Sequence, residues 1–140
     1  MKINPYFIAL QFLYKHEDMD RKILMKFFWD YFTQDKEIDP SETAWCAAFV
    51  GACLGKAEHP HTGKLTARSY RGYGIEVPFP EAQKGDIVVL SQGWLPWQGH
   101  VGFFSQWVKD GVMLLGGNQD SQVCFKTYKM SKLLDIRRVV

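Results

Sequence analysis

The chain holds only three cysteines, at positions 46, 53 and 124. An odd number cannot close a complete disulfide framework, and no Cys-x-x-Cys pair offers the spacing of a zinc site. No stretch approaches the roughly 20 apolar residues that a helix needs to cross a bilayer, so stable membrane insertion is not expected. Charge of one sign is scarce as well: 17 Lys and Arg against 15 Asp and Glu leave a formal +2. That balance neither demands a nucleic-acid partner nor forbids an anionic polymer. The basic residues are scattered rather than interleaved with aromatics on a stripe, which argues against nucleic acid. Internal repeats and low-complexity segments are also missing.

What is present is the composition of one globular domain. At 140 residues, with 46% hydrophobic and 23% charged residues, the chain is long enough for a real core and too short for two. The N-terminal run 1–14 carries one Lys and is interrupted by Pro5. It leads into the polar segment Lys15–Asp20 rather than a small-residue cleavage site, so it reads as a domain helix and the protein as cytosolic when made.

Periodicity predicts helices over 6–14 and 21–33, the second with Ile23, Leu24, Phe27, Phe28 and Tyr31 on one face. A third is expected to start at Asp39, with Pro40 at its first position and Glu42 three residues after the cap, or at Thr43. Either start puts Cys46 in the first two turns, where free N–H groups and the helix dipole favour an anion, and Gly55 closes the helix. Residues 56–82 are irregular, with a short helix around 65–70. Strands follow at 86–90, 100–108, 112–115, 123–128 and 136–140, with an Asp110-Gly111 turn, an aromatic loop at 92–99 and a helical turn at 131–134. Helices first and consecutive antiparallel strands after them make an α+β order.

The chemistry-bearing residues lie on these elements. Cys46 is the candidate nucleophile, since a thiol near a helix N-terminus and an imidazole can form a thiolate near neutral pH. His100, opening a strand, is the candidate base. A hairpin returns the chain to Asn118 beside the start of that strand, where Asn118 is placed to orient His100. The Cys46 N–H would face an oxyanion, with Ser41, Thr43 or Gln119 as second donor. Asp86 reads as a structural group at the start of its strand. His59 and His61 have His-x-His spacing, but no carboxylate or cysteine completes a metal set. Cys53, about 10 Å from Cys46 along a helix, lies beyond disulfide reach and reads as core.

The segments Glu42–Val50, Lys84–Leu90, Gly99–Phe104 and Leu115–Gln119 resemble the papain-like cell-wall peptidases of the NlpC and CHAP superfamily. The likeness is to the small single-domain branch found in phage endolysins. It covers roughly 41–138, making 1–140 a single catalytic domain with a helical part at 1–40 and a papain-like core at 41–140. The resemblance implies a cysteine opening a helix that packs on a small antiparallel sheet. It implies hydrolysis of a peptidoglycan amide by Cys46, His100 and Asn118, although relatives place Asn, Glu, Gln or His in the third role. Trp45, Trp94, Trp97 and Gln119 are the substrate-contacting candidates. No metal or cofactor and a monomer acting on the wall after release or export are expected. The rival readings are an antibacterial effector or protein-directed amidase on the same fold, and a non-catalytic wall-binding module using Trp94, Trp97 and Trp107.

Overall fold

Residues 2–140 are described here from a computed structural model. The architecture is α+β: three α-helices, α1 (Pro5–Leu10), α2 (Arg21–Tyr31) and α3 (Cys46–Lys56), precede a six-stranded sheet. Its strands are β1 (Ile75–Glu76), β2 (Ile87–Ser91), β3 (Gly99–Val108), β4 (Gly111–Gln119), β5 (Gln122–Lys129) and β6 (Leu133–Arg138). They run in the order β1-β6-β2-β3-β4-β5, and every pairing is antiparallel. The chain thus builds β2 to β5 as a meander and brings β6 back along the other side of β2.

The helices differ from the periodicity reading at their ends. Pro5 opens α1 instead of interrupting it, with the Asn4 side chain accepting from the Tyr6 N–H at 3.0 Å. A proline loses nothing in the first turn, where its N–H would have no partner. In α2, Leu24, Phe27 and Phe28 are buried, whereas Ile23 and Tyr31 stay exposed. The third helix starts later than Asp39. That carboxylate instead closes an isolated turn, accepting from the Ser41 backbone and hydroxyl and from Arg21, and α3 begins at Cys46 itself. Inside the stretch expected to be irregular, the short helix expected around 65–70 is a 3-10 turn at Ala67–Gly72, and the edge strand β1 and a 3-10 turn at Phe79–Glu81 are ordered as well.

All residues of α3 from Cys46 to Leu54 are buried, because the helix lies between α1 and α2 on one side and the sheet on the other. One core therefore runs through Tyr6, Leu24, Phe28, Phe49 and Val50 to Val89, Val101 and Phe103. The N-terminal region contributes to this core from Tyr6 to Ile38. A second cluster (Val88, Leu90, Phe104, Val112, Leu114 and Ile136) occupies the other face of the sheet. Alternation along β3 sends Val101 and Phe103 toward the helices and His100 and Phe104 toward the second cluster. Asp86, at the start of β2, accepts from the Gln83 N–H and is held at 2.8 Å by two nitrogens of Arg138, a structural role. Among the described residues, no helix is long and apolar enough to cross a membrane.

The N-terminus of α3 reaches the sheet only because β4 lacks side chains there. A Cβ added at Gly117 would stand 2.5 Å from Trp45 Cζ3 and 2.9 Å from Phe49 Cβ. Gly117→Ala is expected to destabilise the fold by about 1–3 kcal/mol through overpacking, read as a lower urea midpoint. An unchanged midpoint would mean that α3 can move off the sheet at no cost.

Candidate active site

Cys46 is the first residue of α3, and no side chain caps that helix. The free amides of its first turn are consequently available to the sulfur. The ladder between β3 and β4 ends at Phe103–Leu115, short of Val101. Burial pushes the Cys46 thiol up, and the backbone N–H groups of Val101, Ala47 and Cys46 pull it back part of the way. The sulfur therefore lies against the backbone at Val101, one residue beyond His100.

His100 is buried. Its Nε2 is 2.8 Å from Gln119 Oε1. Gln119 is also buried, and its amide nitrogen donates to Cys124 O at 2.7 Å and to Leu114 O at 3.3 Å. Both amide protons are thus committed to carbonyls, so Oε1 must face the histidine and accept from Nε2–H. That fixes the tautomer: Nδ1 is the unprotonated, basic nitrogen. Burial pulls the His100 pKa down, the Gln119 hydrogen bond raises it, and Lys126 adds to the depression.

The residue that hydrogen-bonds His100 is therefore Gln119, not the expected Asn118, and the reason is a bulge. Alternation along β4 assigns residues 114, 116 and 118 to the His100 face. Between Gly116 and Gln119 the β4–β5 register shifts, with Asn118 at φ 58° in the left-handed region, so Gln119 takes the inward place. Gly116 supplies the room: a Cβ there would stand 2.8 Å from Gln119 Oε1. Gln119 also leaves the substrate-contacting and oxyanion candidates, since its carboxamide is used internally.

Trp45 is corrected in the same way. It is fully buried, packed on Phe49 and Phe28, with Nε1 donating to Glu17 Oε1 at 3.1 Å, and it presents no surface to a substrate. Trp94 and Trp97 are exposed, at 98% and 66%. They project from a braced loop: Gln98 Oε1 accepts from the Trp94 and Leu95 N–H groups, and Arg68 Nε donates to Gln98 O at 2.6 Å. Trp107 is half-buried against Phe104 and is no free platform. The Ser41 hydroxyl donates to Asp39.

Glu17, with the segment that carries it, and Tyr128 carried no sequence signal. Glu17 holds Trp45, and residues 14–17 pair with the β4–β5 turn through Tyr14 N–Val123 O, Val123 N–Lys15 O and Glu17 N–Ser121 O. Tyr128 on β5 packs its ring on His100, centroids 5.3 Å apart. Among the described residues, no hydrogen bond joins Cys46 to His100, and no three of His, Cys, Asp and Glu converge as a metal-ligand set. His59 contacts Ile3 O, while His61 packs on Phe32.

Neither models of known protein families nor curated proteins match this chain.

The buried imidazole gives a signed pH dependence. His100 titrates below its ordinary 6.5 when folded, so between the two values the unfolded chain takes up a proton that the folded one refuses. Stability is retained above pH 6.5 and falls as the pH drops below it. Urea titrations at pH 7.5 and 5.0 are expected to show a smaller acid loss for His100→Gln than for the wild type; equal losses would place the acid sensitivity elsewhere.

Proposed function

We propose that the protein is a papain-like cysteine hydrolase that cleaves an amide bond in peptidoglycan, with Cys46 as nucleophile, His100 as base and Gln119 as the residue that orients the base. The observation that carries this reading is the Gln119 carboxamide, pinned by two carbonyls so that it accepts from His100 Nε2 and leaves Nδ1 basic. A buried histidine needs a partner for its N–H in any role; here that partner takes Nε2 and leaves Nδ1 without a hydrogen bond to any described residue. The likeness of residues 41–138 to the cell-wall peptidases supplies the substrate class, and the exposed, uncharged Trp94–Trp97 loop next to His100 suits a sugar or peptide face.

In this mechanism His100 Nδ1 removes the Cys46 proton as the sulfur bonds to the amide carbon. The carbonyl oxygen becomes an anion facing the Cys46 N–H. As the C–N bond breaks, the imidazolium returns its proton to the leaving amine. Water, deprotonated by the same imidazole, then attacks the thioester and frees the acid, and the proton returns to sulfur. Stem-peptide endopeptidase and N-acetylmuramoyl-L-alanine amidase activities both fit these steps.

A second reading follows from the burial of Cys46 and His100 beside exposed tryptophans: a wall-binding module without catalysis. Digestion of purified sacculi, read by mass spectrometry, separates the two. Cys46→Ala and His100→Ala are each expected to lower fragment release by about 10⁴-fold or more with unfolding midpoints near wild type. Cleavage retained by Cys46→Ala overturns the hydrolase, and binding without release by the wild type favours the module.

A further inference from the structure

The residue most closely engaged with His100 besides Gln119 lies on neither adjacent strand. Alternation along β5 turns Cys124, Lys126 and Tyr128 to the His100 side of the sheet, whereas Val123 faces the helical core. The Tyr128 ring covers the imidazole at 5.3 Å between centroids with planes 32° apart. Gln119 has fixed one edge of the imidazole by its hydrogen bond, which leaves rotation and solvent access at the ring face to be restrained. Tyr128 is half-buried while His100 beneath it is only 5% exposed.

We propose that Tyr128 is a positioning residue for His100: its ring lies over the imidazole, keeps water from it and holds Nδ1 in line for the Cys46 proton. The proposal rests on the reading of His100 as the base. The ring does this, not the hydroxyl, which makes no hydrogen bond to any described residue. Of the titratable groups on the surrounding elements, Lys126 is the one whose charge acts on the imidazole. Cys46 lies on α3, Asp120 beyond the end of β4, and Cys124 and Lys126 on β5, with Lys126 tied to Asp120 at 2.8 Å; β2 contributes no titratable side chain. Burial is the largest cause of the lowered His100 pKa and the Lys126 charge a smaller one; the Tyr128 ring is the cover over the imidazole that a single substitution can remove. The phenol is held protonated by its burial and by the neighbouring Cys124, Cys46 and Asp120, so it brings no charge of its own.

The test titrates His100 by NMR in the wild type, Tyr128→Phe and Tyr128→Leu, with the pH profile of sacculus digestion measured in parallel. Tyr128→Phe keeps the ring and is expected to match the wild type in both. Tyr128→Leu is expected to move the His100 pKa up toward 6.5, to carry the acid limb of the profile with it, and to lower kcat by about 10–100-fold with little change in KM. An unshifted His100 in Tyr128→Leu overturns the proposal, as does Tyr128→Phe behaving like Tyr128→Leu. Should Tyr128→Leu not fold, Tyr128→Met is read in the same way. The NMR titration needs no turnover. A wild type that releases nothing from sacculi therefore sinks the hydrolase reading, while the shift still decides whether Tyr128 controls His100.

Discussion

The close approach of Trp45 to Gly117 is the contact on which the rest of the molecule is arranged. A fully buried indole lies edge-on against a stretch of β4 that has no side chains. It brings the first turn of α3 down onto the sheet where the β3–β4 ladder has ended, and the Cys46 sulfur meets the backbone at Val101. The N-terminal segment is part of the same clamp. Glu17 takes the indole N–H, and residues 14–17 pair with the β4–β5 turn that follows Gln119. The N-terminal segment thus braces Trp45 through Glu17 and shares the helical core from Tyr6 to Ile38.

A second constraint is the bulge at Asn118. A left-handed residue costs little when it is asparagine, and here it exchanges one side chain for the next on the inner face. Without it the buried carboxamide would belong to a shorter side chain, reaching one methylene less toward His100. Gly116 beneath the carboxamide is bare for the same reason that Gly117 is bare beneath the indole: each faces a polar or aromatic group that fills the space a Cβ would need.

These two constraints explain what the sequence made legible. The order of elements, the placing of Cys46 on a helix start and of His100 on a strand start all follow from periodicity and turn residues, which are local. Gln119 was visible as a polar residue near the site, yet its role was assigned to Asn118, because strand alternation holds only until a bulge breaks it. The late start of α3 was hidden because Asp39, Pro40 and Glu42 have the chemistry of a helix cap and spend it on one isolated turn. Trp45 next to the nucleophile suggested a substrate contact; only the packing of Phe28, Phe49 and Gly117 around it turns it inward. Tyr128 and Glu17 reach the site across distances that no spacing rule encodes.

The electrostatics of the resting site point in one direction. Burial raises the Cys46 thiol and lowers the His100 imidazole, so the protein stores a neutral pair and not a thiolate–imidazolium pair. Separating charge in this site is unfavourable until something compensates it. The compensation is already arranged on the acidic side of the transfer: amides of Cys46, Ala47 and Val101 around the sulfur, and the Gln119 oxygen on the far edge of the ring, which strengthens its hold as Nε2–H becomes part of an imidazolium. What remains to be supplied is an electrophilic carbonyl to receive the sulfur's electrons as its proton leaves. On the proposed hydrolase reading, proton transfer and attack in such a site are coupled, and the nucleophile is generated on the bound amide, not in advance of it. A buried neutral thiol is also slow to oxidise, so on that same reading the burial that delays ionisation also protects Cys46 before a substrate carbonyl arrives.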